Sequence, residues 1–282
     1  MEPIFCQGSI KGEKVLLDKF DGMFLKNTFK GTYLAGEGNR RVPFLFSEQV
    51  DLLSNSFDFY FDSSDVAIIS NTGKEDTYFA ATIWPKILLN AGMQVYFQSL
   101  IKEQFDFRES IPISIQQFLN NQRVNFYSSL RNKEKLKVIN EQEVLIVFKS
   151  SKFISIASIT NNYTADTPGN YNIIYTVADL LHKNSLALID IVGTDGVNNL
   201  PLLLEKYYRK KYIVSAKSTL EKLGFVEHTI QPNDNFYITA KGIGFTYLKG
   251  EIAGSSAGQI EIFIPFTELK AYLTPAINTL LR

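Results

Sequence analysis

The sequence predicts an α+β protein in two parts. Residues 1–105 read as an all-β meander or small barrel, and residues 106–282 as helices packed on an antiparallel sheet. Three observations carry this expectation. Short alternating apolar runs punctuated by glycine turns fill residues 4 to 104. Helical spacing of apolar residues appears after Pro112. Two-residue alternation then returns near the C-terminus, from Asn235 to Leu269.

Composition sets the bounds. A chain of 282 residues is long enough for about two domains. Apolar residues make up 45% of it, and 22 Phe and 14 Tyr favour sheets. Lys and Arg total 29 and so do Asp and Glu, with no basic block, so nucleic acid is not an expected partner. A single cysteine, Cys6, excludes an internal disulfide, and with only two histidines a Cys/His zinc cage is not expected. No metal or cofactor is called for. No apolar run approaches the ~20 residues of a membrane helix. The first residues, Met1 to Cys6, lack the basic start and apolar core of a signal peptide.

The N-terminal strands follow in order. Gly8 to Leu17 reads as strand, Lys11-Gly12 turn, strand. Asp21-Gly22 is a turn signal between Leu16–Phe20 and Met23–Phe29. Gly31-Thr-Tyr-Leu leads to a turn at Gly36–Asn39 and then to Val42–Phe46. Phe57, Phe59 and Phe61 alternate with Asp58, Tyr60 and Asp62. Val66–Ile69, Tyr78–Trp84 and Met93–Ile101 complete a series of about eight short strands. The alternating Phe runs could fill a core or line a cavity for an apolar ligand.

The second part starts after a charged linker, Asp106 to Pro112. Ser114 to Leu130 reads as a helix with Ile115, Phe118, Leu119, Phe126 and Leu130 on one face and Val124 off it. Arg131–Lys137 is a charged connection. Val144–Phe148 and Phe153–Ile159 are strands joined by Lys149–Lys152, and Asn161–Asn170 is a loop with a Pro168-Gly169 turn. Tyr171–Val177 and Leu186–Ile191 are further strands. A helix begins at Asn198 with Pro201 in its first turn, where a missing N–H costs nothing. Leu200, Leu203, Leu204 and Tyr207 form its apolar stripe, and the Arg209-Lys210-Lys211 cations suit its C-terminal end. Ser218–Leu223 is a short helix capped by Gly224. Phe236–Thr239 and Ile243–Tyr247 form a hairpin around Lys241-Gly242, and Ile260–Ile264 is a strand stopped by Pro265. Thr267 is the expected N-cap of a helix to Leu273, and Thr274-Pro275 opens a last one.

The C-terminal pieces also carry a resemblance. Phe236–Thr239, Lys241–Tyr247, Glu251-Ile252-Ala253, Gly258–Pro265 and Glu268-Leu269-Lys270 recur in this order and spacing in a bacterial extracytoplasmic domain of unknown function. That domain occurs in RsiV-type anti-sigma factors and PdaC-type peptidoglycan deacetylases, and this chain resembles it. Gly8-Ser-Ile10, Val15–Leu17, Gly31-Thr-Tyr33 and Thr82-Ile-Trp84 resemble the N-terminal β-domain of Bacteroidetes-type relatives. The chain departs from the pattern at Gly254-Ser255-Ser256, and again between Asn161 and Asn170, where relatives carry Gly-Gly-Ala-His. The resemblance implies a periplasmic or cell-surface binding or sensing module. Its ligand would be a lysozyme-like protein or a cell-wall glycan.

No catalytic set assembles from the sequence, so an enzyme is not the expected reading. Gly254-Ser-Ser256-Ala-Gly258 matches a nucleophile elbow by letter, but a strand follows it, and His182 and His228 both precede it. Asp58, Asp62 and Asp65 lack the ligand alternation and central glycine of a calcium loop. Glu261 and Glu268 have nothing that positions them as an acid/base pair. The binding candidates are Asn162, Tyr163 and Thr164 beside the divergent loop, and Tyr171, Tyr175, Tyr237 and Tyr247 on the strands that resemble the family. Tyrosine offers an apolar face with a polar tip, which suits protein or sugar ligands, and the same rings can equally pack under helices.

Overall fold

The computed structural model describes residues 19–25, 28–34, 41–47, 57–69, 75–87, 91–104, 117, 120, 121, 124, 128, 138–164, 167–215 and 217–278. The expected strands of Gly8–Leu17, the linker 106–112 and the connection 131–137 lie outside these residues. The chain divides into two compact units, Met1–Leu52 and Leu53–Arg282.

The first unit holds a three-stranded antiparallel meander of β1 (Lys19–Leu25), β2 (Thr28–Leu34) and β3 (Arg41–Ser47). Asp21-Gly22 is not the expected turn. It lies inside β1, with Gly22 opposite Gly31, and the pair closes at Leu25↔Thr28. Pro43 sits in β3, opposite Thr32 at the edge of the described meander, the place in a sheet where proline is tolerated.

The second unit is built on a six-stranded sheet in the order β4 to β9. Its strands are β4 (Phe57–Ile69), β5 (Glu75–Ile87), β6 (Val138–Lys149), β7 (Phe153–Thr164), β8 (Thr167–Asp179) and β9 (Asn184–Ser185). All neighbours are antiparallel except β5 and β6, which run parallel from Tyr78↔Val138 to Ile83↔Glu143. A parallel pair needs a crossover. The intervening residues supply one that includes α1 (Ala91–Gln104) and the helical positions 117, 120, 121, 124 and 128. This pairing puts residues from both sides of position 105 in one sheet. No described sheet closes into a barrel.

Met93–Ile101, expected as a strand, is the body of α1. Its apolar residues Phe97, Leu100 and Ile101 are buried at helical spacing against Val144, Ile154, Ile156, Ala178 and Leu180. A run of seven to nine apolar-rich residues fits either period, and the crossover geometry decides in favour of the helix. Val124 is exposed, as its place off the helical stripe implies.

The other face of the sheet carries the larger core. Phe153 and Val177 from β7 and β8 pack there with α2 (Leu188–Lys211) and with a second sheet of β10 (Phe236–Ile238), β11 (Gly242–Tyr247) and β12 (Ile260–Pro265). A bulge between Ile146 and Phe148 lets β6 serve both cores. Ile146 packs towards α1, whereas Phe148 packs into the second core, because one extra residue flips the side of every position after it.

Several boundaries differ from expectation. β7 and β8 extend through Thr164 and from Thr167, so Pro168-Gly169 lies in a strand of the hairpin rather than at its turn. Leu186–Ile191 is not a strand. β9 has two residues and α2 starts at Leu188, with the Ala187 N–H donating to Asp190 Oδ2 at 2.9 Å. Pro201 is inside α2, which breaks instead at Gly193 (φ 62°). The first, short piece is held by Thr274, whose N–H and Oγ1 donate to the carbonyls of Ile191 and Asp190. Gly224 ends the turn Glu221–Leu223 with φ 86°. The last elements are α3 (Phe266–Leu269) and α4 (Pro275–Asn278). Pro265, not Thr267, occupies the N-cap position of α3.

Candidate functional site

The 236–265 sheet is asymmetric. One face, made of Phe236, Ile238, Ile243, Phe245, Tyr247, Ile260, Ile262 and Ile264, is core. The opposite face presents Tyr237, Gly242, Gly244, Thr246, Glu261 and Phe263. Here two glycines make room for two rings. Tyr237 stands opposite Gly244, and a Cβ at 244 would overlap Cζ and Cε1 of that ring. A Cβ at Gly242 would meet the Ile264 carbonyl oxygen first and then Cζ of Phe263 at 2.7 Å. Each ring therefore occupies the space a side chain at the glycine would need, Tyr237 from the position directly opposite Gly244 and Phe263 from a diagonal position beside Gly242.

Glu261 stands at the edge of this face and is held from three sides. The Tyr237 hydroxyl donates to its Oε1 at 2.9 Å, Lys211 Nζ reaches its Oε2 at 3.1 Å, and its own N–H donates to the Tyr212 hydroxyl at 3.3 Å. Lys211 also lies 5.7 Å from the Tyr212 ring centroid. Tyr175 from β8 meets Tyr237 with ring centroids 4.7 Å apart. Further along β8, Tyr171 is 52% exposed and stands opposite Asn161, whose side chain donates to Glu141 at 2.6 Å.

Two side-chain bridges fix β10 against β8 and β7. The Asn235 amide accepts from the Tyr175 N–H at 2.8 Å and donates to the Ile173 carbonyl at 2.9 Å, as a neighbouring strand would. Buried Ser155 Oγ donates to the Ile238 carbonyl at 2.8 Å and accepts from its N–H at 3.1 Å.

The electrostatics keep the tyrosines protonated. Burial pushes the Tyr237 hydroxyl far up, and its bond to the Glu261 carboxylate adds to the shift. Burial also raises Tyr175, against a hydrogen bond with Thr246 that lowers it, and raises Tyr171 with help from Glu143. Glu143 is itself pushed up by burial and then by Glu141.

Of the tyrosines expected in a site, Tyr171, Tyr175 and Tyr237 come together on one side of the β6–β8 and β10–β12 sheets. Tyr247 is on the core face, 1% exposed, with its hydroxyl on the Gln231 carbonyl at 2.7 Å. Asn162 is exposed, but the pleat puts it on the opposite face from Tyr171. Tyr163 and Thr164 end β7, and their side chains lie outside the described residues. Sequence reasoning missed Gly244, Phe263, Asn235, Ser155 and the Lys211–Glu261 pair. One signal was available, a glycine alternating with apolar residues in the strand that follows Phe-Tyr-Ile. The other chemical candidates stay apart. Ser256 lies in an exposed 3-10 turn, Ser255–Ala257, that leads into β12. His182 Nδ1 pairs with Asp179 at 2.7 Å, and His228 with Glu221 at 3.4 Å. Glu268 binds Lys206 at 2.7 Å. No group of three or more metal-ligating side chains occurs among the described residues, and no helix there is long and apolar enough to cross a membrane.

Comparison with known proteins bears on the same region. No curated protein matches the chain. A DUF3298 family member from Bacteroides fragilis has a similar solved structure, with a TM-score of 0.60 at 20% identity, over 80% of this chain and 98% of that one. A DUF3298 family protein from Pseudomonas aeruginosa is similar at a TM-score of 0.57 and 13% identity, with the same coverage. Residues 189–267, from α2 through β12 into α3, match the model of a protein family of unknown function, DUF3298. The chain therefore has the fold of solved DUF3298 proteins and, over 189–267, carries that family's sequence pattern.

Proposed function

We propose that this protein is a non-enzymatic binding or sensing module of the bacterial cell envelope. Its ligand would be a lysozyme-like protein or a cell-wall glycan. The observation that carries this reading is the tyrosine side of the second unit, where exposed Tyr171 lies on the same face of β8 as Tyr175, which meets Tyr237 beside Glu261. Protonated tyrosines give apolar area with a hydrogen-bonding tip at low entropic cost, the composition of a recognition surface. The resemblance to RsiV-type and PdaC-type proteins supplies the envelope setting. An apolar carrier has less to support it, because the described sheets are open and enclose no lumen.

The test is interferometry of the full chain against immobilised lysozyme and, separately, soluble peptidoglycan fragments. Saturable binding to one of them, weakened at least about tenfold by Tyr171→Ala, is expected for a binding hot spot. Absence of binding to both overturns the reading.

A further inference from the structure

We infer that the outward stripe at the C-terminal end of α2 is a docking surface for an anionic lipid bilayer. The Val214 N–H donates to the Arg209 carbonyl at 3.0 Å, and the Arg209 guanidinium donates to the Ser215 carbonyl at 2.9 Å, so α2 ends in a closed turn. The residue after the cap in such a turn takes a left-handed backbone and is usually glycine. Here it is Ile213, at φ 54°. A β-branched side chain is strained there, and at 93% exposure it has little contact within the chain to offset the strain. Backbone strain of this kind collects where a chain meets a partner. The neighbours of Ile213 define that partner. Leu202, Lys206 and Lys210 share one side of α2 at i, i+4, i+8 spacing, and Ile213 follows three positions later, just past the helix end. Leu202 is 72% exposed, and the two aliphatic tips stand about 16 Å apart along the axis with lysines between them. A protein interface gathers its apolar contacts into one continuous core. A flat bilayer instead admits separate tips while the lysines stay among the headgroups. Tyr212, exposed beside Ile213, suits the headgroup level with its apolar ring and polar tip. Charge selects the lipid. Lys206, Arg209 and Lys211 bind Glu268, Glu205 and Glu261, whereas exposed Lys210 and Lys217 make no ion pair among the described residues. The uncompensated charge around the tip is therefore positive, and anionic headgroups complement it. Docking of this kind is independent of the lysozyme or glycan ligand proposed above.

The experiment is co-sedimentation of the full chain with mixed phosphatidylglycerol–phosphatidylcholine vesicles, with pure phosphatidylcholine vesicles as the neutral control. Saturable partitioning onto the anionic vesicles is expected, at least about fivefold weaker onto the neutral ones and largely lost in about 0.5 M salt. Ile213→Gly is expected to weaken partitioning at least about tenfold while the melting temperature rises, so that lost binding is not lost fold. Leu202→Gln is expected to weaken it severalfold, and Lys210→Gln about fivefold. No partitioning onto the anionic vesicles, equal partitioning onto both kinds, or equal partitioning of wild type and Ile213→Gly overturns the inference. Sedimentation velocity without lipid and lysozyme binding are measured in parallel on the same two proteins. Self-association that Ile213→Gly abolishes, with partitioning unchanged, assigns the tip to a second copy and overturns bilayer docking. Lysozyme binding that falls with Ile213→Gly, again with partitioning unchanged, assigns it to a protein partner and overturns it equally.

Discussion

Gly244→Ala is the substitution that most directly tests how the aromatic face is held. The new Cβ would overlap Cζ and Cε1 of Tyr237, and the nearest atoms belong to a ring anchored on both sides. Tyr237 must then rotate away. It gives up the 2.9 Å bond to Glu261 and the 4.7 Å contact with Tyr175. A hydrogen bond to a charged group is worth about 1.5–3 kcal/mol, and an aromatic pair about 0.5–1.5 kcal/mol. Glu261 is part-exposed and water replaces some of its loss, so the lower half of the sum applies, about 2–3 kcal/mol. In a unit of this size that lowers the melting temperature by on the order of 4–12 °C. Urea titration of four proteins checks it: wild type, Gly244→Ala, Tyr237→Ala and the double variant. If ring overlap is the cause, alanine at 244 costs less than about 0.5 kcal/mol once Tyr237 is gone. An equal cost in both backgrounds, or no cost in the wild type, refutes the reasoning.

Three further outcomes are expected. Ser155→Ala strands the buried N–H and carbonyl of Ile238 and costs about 1–3 kcal/mol in urea unfolding. Ile213→Gly stabilises by roughly 1 kcal/mol, because a β-branched residue that is 93% exposed sits at φ 54° with little contact to lose; calorimetric melting reads it. The Asp179 carboxyl is held below its usual value: burial raises it, but hydrogen bonds from the His182 side chain and from the N–H groups of His182 and Leu181 prevail. A depressed carboxylate stabilises the fold above its unfolded value, near pH 4, and loses that contribution as the pH falls through the lower folded value. The difference in stability between wild type and Asp179→Asn, measured from pH 7 down to pH 2, should therefore shrink below about pH 4.

The α+β class and most elements of the C-terminal half were legible in the sequence, since alternation in Phe236–Tyr247 and Ile260–Ile264 and the stop at Pro265 are local signals. What failed were choices that distant contacts make. Met93–Ile101 is helical because a parallel β5–β6 pair needs a crossover, and Pro168-Gly169 is tolerated in a strand because β8 is paired along one side only over that part. Pro201 is accommodated within α2, and the break falls at Gly193, where Thr274 donates to the carbonyls of Ile191 and Asp190 just before it. The candidate site was legible as tyrosines but not as an arrangement. Nothing local tells Tyr247, on the core side of β11, from Tyr237, on the outer side of β10, until the register of the hairpin is known. The Lys211–Glu261 contact joins residues fifty positions apart and has no signature in the chain.

The Asn235 bridge has a consequence for how the molecule treats other copies of itself. An open strand edge is a template for foreign chains. β9 pairs with β8 at Ala178 and Asp179, and further along that edge the Tyr175 N–H and the Ile173 carbonyl are occupied by one amide side chain. A single residue thus stands guard where other folds lay down a whole strand. Its removal would leave both of those backbone groups without this partner and loosen the join between β8 and β10.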